Sequence, residues 1–166
     1  MSGLNWLDIV IAAAVAGGAL TGLNKGLVRL MFALVGVVAG VIFAGQNYRA
    51  LAQTLSFIQE PEIANLAAYF TVFFAVFFIA GVVGEVLHAT VGLLVFGCFD
   101  QVLGLSLGAL VAALVVQAAL LPLARFPLAP LQEALAQSTL APLFISAAPI
   151  LLALLPPEFD IVRKLF

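Results

Sequence analysis

Charged side chains are rare in this chain, and those that border its apolar stretches are the candidates for chemistry. Only 8% of the residues are Asp, Glu, Lys or Arg. Charge close to hydrocarbon is costly and usually marks a functional or structural site. The candidate polar residues are Asp8, Lys25, Arg29, Glu85, His88, Asp100 and Gln117.

The carboxylates Asp8 and Asp100 each come at the start of an apolar stretch. A carboxylate in the first turn of a helix meets the positive end of the helix dipole, which is the structural interpretation of Asp8. The functional interpretation is a cation site at the mouth of a pathway. Asp100 is in the first place a helix N-cap candidate. We also expect Asp100 to pair with Arg29, whose planar guanidinium can hold a carboxylate through two hydrogen bonds.

Glu85, His88 and Gln117 are polar groups within or beside long apolar runs. Glu85 and His88 are three residues apart and share one helix face, so they form either a polar helix end or a proton-accepting pair. Gln117 is the deepest strongly polar side chain. We interpret it as an interhelical hydrogen-bond donor rather than a substrate ligand.

The chain contains no recognisable enzyme motif. His88 is the single histidine and Cys98 the single cysteine, and neither has partners at metal-ligand spacing. There is no phosphate-binding glycine loop and no nucleophile grouped with a histidine and an acid. We therefore expect no enzyme activity, no metal and no cofactor. The net charge of −2 also argues against a nucleic-acid partner.

The elements that must position these residues are membrane helices. The chain is 65% hydrophobic with a mean hydropathy of +1.27, whereas soluble domains carry about 25% charged residues. Windows of about 20 apolar residues predict an all-α integral membrane protein, one domain over 1–166, with four spans. The predicted spans are about 7–24, 27–46, 64–85 and 101–122.

The remaining segments are predicted to lie at the membrane surface. Residues 47–59 have the apolar spacing of a short amphipathic helix, as do 128–137. The apolar run 89–99 is too short to span and is predicted to be interfacial or re-entrant. Residues 123–166 are predicted to be a broken-helix C-terminal segment. Within it, 134–157 is long enough for a fifth span, but four prolines interrupt it and favour broken helices.

Small residues recur every fourth position on three of the spans. In lipid, close backbone approach over small residues drives helix packing. We therefore predict packing seams; the alternative is that smooth glycine faces let helices slide or line a narrow path. The Phe-rich third span is predicted to face lipid. The predicted helix-packing glycines are Gly18, Gly22, Gly26, Gly36, Gly40, Gly104 and Gly108.

Four motifs in order resemble one known family over nearly the whole chain. They are Asn5-Trp6-Leu7-Asp8, the Gly22–Arg29 turn, Asp100-Gln101-Val102-Leu103-Gly104 and Ser138-Thr139-Leu140-Ala141-Pro142. They are similar to motifs of the colicin V production protein family (CvpA). One departure is Gln101, because the family usually has arginine there.

The resemblance implies a multi-pass protein of the bacterial inner (cytoplasmic) membrane, linked to colicin V production or export or to envelope homeostasis. An accessory membrane protein is therefore the first hypothesis. The alternative is a small oligomeric channel or transporter subunit for ions or protons. The expected partners are the lipid bilayer and either further copies of the chain or other membrane proteins.

Overall fold

The computed structural model describes residues 5–55, 58–91, 97–126 and 129–146. Every regular element in these ranges is a helix. The helices are α1 (Trp6–Thr54), α2 (Pro61–Val91), α3 (Gly97–Arg125), α4 (Ala129–Gln137) and α5 (Leu140–Ser146).

Four helical stretches are long and apolar enough to cross a bilayer, which confirms the predicted fold class. They are Trp6–Lys25, Arg29–Thr54, Pro61–Leu87 and Gln101–Arg125. At 1.5 Å per residue, each is at least about 30 Å long and matches the hydrocarbon core. The first two belong to one helix, α1, and we call them its first arm and its second arm.

The two arms of α1 lie side by side, although the helical assignment is unbroken. Asn5 Nδ2 donates a hydrogen bond to the Ala134 carbonyl (2.7 Å), and the Tyr48 ring lies 6.0 Å from that of Phe126. A straight helix would separate Asn5 from Tyr48 by about 65 Å. Their partners, Phe126 and Ala134, are at most about 28 Å apart even in an extended chain. The chain direction therefore reverses within α1.

Each arm runs antiparallel to a different partner helix. The first arm follows α3, with Gly22 against Gly104 and Gly18 nearer to Ala112. The second arm follows α2, with Phe32 against Gly84 and Gly40 against Phe73. Helices α2 and α3 touch each other little. Because α1 reverses direction, one end of the bundle carries Lys25, Arg29 and Glu85. We call this end, where α1 reverses, the turn end.

Glycine contacts set the distance between the first arm and α3. A Cβ added at Gly22 would meet the carbonyl oxygen of Gly104, and one added at Gly108 would meet the carbonyl oxygen of Gly18. The two backbones are thus in direct contact along this seam. Close packing of this kind provides the dispersion contacts that hold helices together in lipid.

The prediction that the Phe-rich helix faces lipid is wrong for one of its sides. Phe74 and Phe78 are exposed, but Tyr69 and Phe73 are completely buried. Gly40 makes room for the inward ring, because its Cα faces the Phe73 ring so closely that an added Cβ would lie 2.9 Å from it. The aromatic residues therefore divide between a lipid face and a packed face.

The prediction of a separate surface helix over 47–59 is also wrong. Residues up to Thr54 continue α1, and Tyr48 in this stretch is buried. Residues 46–54 contain neither glycine nor proline, so the helix continues to Thr54. Residues 58–60 are not helical, and positions 56–57 lie outside the described residues.

The other predicted surface segments have mixed outcomes. Helix α4 occupies most of 128–137, with Leu135 buried and Glu133 exposed. The predicted interfacial run 89–99 falls partly on α2 and α3, and 92–96 lie outside the described residues. For the predicted fifth span, α5 ends at Ser146, and the rest of that segment lies outside the described residues.

Candidate functional site: a clasped carboxylate and a polar-ended cavity

Asp8 is a fully buried carboxylate that joins the beginning of α1 to the connection between α4 and α5. Its Oδ1 accepts hydrogen bonds from the Ser138 hydroxyl (2.6 Å) and from the backbone N–H groups of Leu140 (2.9 Å) and Thr139 (3.1 Å). Its Oδ2 accepts from the Asn5 N–H (3.1 Å). We call this set of contacts the Asp8 clasp.

Short local signals position both sides of the Asp8 clasp. On one side, Asn5 precedes the helix and Asp8 occupies its third position, where a carboxylate can accept from the N-cap backbone. On the other side, Ser138 Oγ accepts from the Ala141 N–H (2.9 Å) and so caps α5. The clasp thus satisfies backbone donors at the beginnings of two helices.

The chemistry of the clasp favours the structural interpretation of Asp8 over a cation site. The groups in hydrogen-bond contact with the carboxylate are N–H and O–H donors. A hard cation prefers several oxygen ligands. Hydrogen bonds to a charged group are the stronger kind and are costly to lose when buried. The clasp is therefore a charge-assisted tie between α1 and the α4–α5 connection.

At the turn end, Arg29 forms an ion pair with Glu85, a contact that the sequence analysis did not predict. Arg29 Nη2 lies 2.6 Å from Glu85 Oε1, and the side chains are 30% and 59% exposed. This ion pair links the second arm to α2. The side chains of His88 and Asp100 lie outside the described part of the structure. The predicted pairs of Asp100 with Arg29 and of His88 with Glu85 therefore remain predictions.

A cavity of about 540 Å³ begins at this ion pair and extends between the helices. Exposed residues of the first arm and of α2 form its rim, and the second arm and α3 form its floor. Its polar groups are concentrated at the turn end, and its remaining lining is mainly small or apolar. Lining residues include Ala14, Gly18, Lys25, Arg29, Gly81, Glu85, Gly108 and Val115.

The middle of the bundle beyond the cavity is closely packed. Val37, Val41, Phe73 and Leu121 have no exposed surface. Gln117 is 7% exposed, and its Oε1 accepts no hydrogen bond from any residue that the structure describes. The predicted role of Gln117 as an interhelical donor remains a prediction.

The partners of two site residues were missed by sequence reasoning. Ser138 and Asp8 are 130 positions apart, and no spacing rule relates them. The available signal was that Asp8 and Ser138 each belong to one of the quoted motifs. Glu85 was singled out for its proximity to His88, whereas its contact is with Arg29 on another helix.

Comparison with known protein families finds one whose profile matches most of the chain. The sequence profile of the family described as colicin V production protein matches residues 7–149, which is most of the chain. The chain belongs to the colicin V production protein family. The matched range includes Asp8, Ser138, Thr139 and Leu140, so every residue of the Asp8 clasp except Asn5 lies within the family domain.

One relative supports the membrane assignment. The chain is 30% identical over 167 aligned positions to the "Uncharacterized transmembrane protein YshB" of Bacillus subtilis (strain 168), covering 90% of this chain and 94% of that protein. No solved structure is significantly similar to the chain. This member of the family is accordingly a membrane protein with four candidate spans.

Proposed function

We propose that the protein is a non-enzymatic accessory component of the bacterial cytoplasmic membrane that supports toxin production and export or envelope maintenance. The observation that supports this proposal is that the buried carboxylate of Asp8 makes structural contacts. Asp8 is completely buried, and its carboxylate is occupied by donors from the α4–α5 connection. In this proposal the carboxylate ties α1 to the α4–α5 connection and does not bind a transported cation.

The alternative is a small oligomeric channel or transporter subunit for ions or protons. The cavity with Lys25, Arg29 and Glu85 at its end is the feature that favours it. Against a pathway through one chain, the described core beyond the cavity is filled by Val37 and Phe73. Conduction would have to run between copies of the chain.

A flux measurement distinguishes the two proposals. The purified full-length protein is reconstituted into liposomes loaded with a pH-sensitive dye, and a proton or potassium gradient is applied. We expect the same flux as in empty liposomes, with an ionophore as the positive control. Flux that grows with protein density and falls in Glu85→Gln would contradict the accessory role and support the alternative.

A cellular measurement tests the accessory role itself. A strain lacking the protein is compared with its parent for growth in a membrane-active detergent and, with a colicin V operon present, for secreted toxin. We expect a defect in at least one assay, restored by the wild-type chain but not by Asp8→Asn at matched protein level. If deletion changes neither readout, the accessory role is wrong.

A further inference from the structure

We propose that the cavity at the turn end binds an anionic phospholipid from the adjacent leaflet. One acyl chain lies in the cavity, and the phosphate lies at its polar end beside Lys25 and Arg29. This inference does not depend on the proposed function, because it concerns only which lipid binds in the cavity.

The dimensions of the cavity match one leaflet. Along the first arm it extends from Lys25 to Ala14, which is about 17 Å at the helical rise. Along α2 it extends from Glu85 to Phe77, about 12 Å. Half of a hydrocarbon core is about 15 Å. A chain that enters at the turn end would thus occupy the cavity without crossing the bilayer.

The lining favours a hydrocarbon chain below a polar headgroup. The volume, about 540 Å³, is in the range of small-molecule sites, about 300–1,000 Å³. Apolar side chains such as Val111 and Val115 line its floor. The rim is open at Gly81, where an added Cβ would meet no atom within 4 Å. Lipid can therefore enter sideways between the first arm and α2.

Charge among the described residues that line the polar end of the cavity favours an anionic headgroup. Arg29 and Glu85 neutralise each other, and Lys25 adds one positive charge to the lining. The Arg29 Nε–H is buried and donates to no described residue; a turn of the Arg29 side chain toward the cavity would bring it to a phosphate oxygen. Basic sites between membrane helices are known to bind anionic headgroups.

Native mass spectrometry of the detergent-purified protein tests the proposal. The protein is titrated with phosphatidylglycerol or phosphatidylcholine, and then with inorganic phosphate as a competitor. We expect the wild type to retain phosphatidylglycerol at least about five-fold better than phosphatidylcholine, as one lysine near a headgroup would produce. Inorganic phosphate should not displace the lipid, because it lacks the chain. Equal retention of both lipids, or displacement by phosphate alone, would overturn the proposal.

Matched variants locate the bound chain. Gly81→Leu fills the cavity from its rim and should reduce phosphatidylglycerol retention at least about five-fold. Gly17→Leu places the same side chain in open space outside the cavity and should leave retention unchanged. Ala14→Leu, also on the rim, is the second filling variant should Gly81→Leu fail to fold. If folded filling variants bind like the wild type, the lipid lies elsewhere.

A charge series locates the headgroup. Lys25→Gln should weaken phosphatidylglycerol binding about five-fold and leave phosphatidylcholine binding unchanged, whereas Lys25→Arg should keep the preference. Arg125→Gln, which removes a cation from the other end of α3, is the control. An equal loss in Lys25→Gln and Arg125→Gln would mean that overall charge, not this site, selects the lipid.

Discussion

At the residue scale, Asp8 shows how a charge can be kept within a membrane helix. Its carboxylate has no exposed surface and accepts from Ser138, Leu140 and Asn5. Isolated in hydrocarbon, such a group would be strongly destabilising. Surrounded by hydrogen-bond donors, the Asp8 carboxylate links α1 to the α4–α5 connection in a way that the apolar residues around it cannot.

Replacing Asp8 with asparagine should lower the thermal unfolding midpoint by roughly 5 °C or more, because the charge that strengthens these hydrogen bonds is lost and an NH₂ group faces other donors. Thermal unfolding of the detergent-purified variants measures this change. Thr139→Ala is the matched control, since Thr139 contributes its backbone N–H and its side chain is exposed. A shift in Asp8→Asn no larger than that in Thr139→Ala would mean that the clasp contributes little.

At the scale of elements, α1 holds the bundle together because each arm packs on a different helix. The first arm contacts α3 through backbones at Gly18, Gly22, Gly104 and Gly108. Gly17 is next to this seam in the chain, but an added Cβ there would meet nothing within 4 Å. Glycines on one helix thus have opposite surroundings.

Alanine substitution should therefore change stability with opposite signs at these glycines. Gly17→Ala should stabilise the protein by about 0.5–1 kcal/mol, because alanine is the better helix former and no contact is disturbed. Gly108→Ala should destabilise it by about 1–3 kcal/mol, the usual cost of overpacking, because the helices must separate. Thermal unfolding of both variants in one detergent measures the difference. Two changes of the same sign would contradict backbone contact at Gly108.

At the scale of the whole molecule, the bundle has two polar ends and an apolar middle. The turn end carries Lys25, Arg29 and Glu85. The opposite end carries the Asp8 clasp and the edge-to-face contact of the Tyr48 ring with the Phe126 ring. Since each end lies near a membrane surface, the orientation of the bundle decides which polar group meets which compartment.

The turn end should face the cytoplasm, because Lys25 and Arg29 are the cations that follow the first span and the first helix usually dominates orientation. Cysteines at Asn24 and Gln59, introduced into Cys98→Ser, probe the two ends with a membrane-impermeant thiol reagent. Gln59→Cys should label in intact spheroplasts and Asn24→Cys only after lysis. The reverse pattern would mean that the bundle is inserted the other way round.

Much of this architecture was predictable from the sequence, because crossing a bilayer requires long apolar runs that composition reveals directly. The four spans, the small residues at Gly22 and Gly104, and the scarcity of charged residues are one-dimensional features. The boundaries of the interfacial segments were less predictable. Nothing in the sequence from Gly45 to Thr54 distinguishes an extended membrane helix from a new surface helix.

Only the tertiary structure decided which sides of the helices and which charges meet. In lipid, both the packed face and the outer face of a helix are apolar, so hydropathy could not separate the buried Phe73 from the exposed Phe74. Likewise, no sequence rule related Asp8 to Ser138 across 130 positions or Arg29 to Glu85 on another helix. The reversal of α1 brings these groups within reach, because it sets which helix ends share a membrane surface.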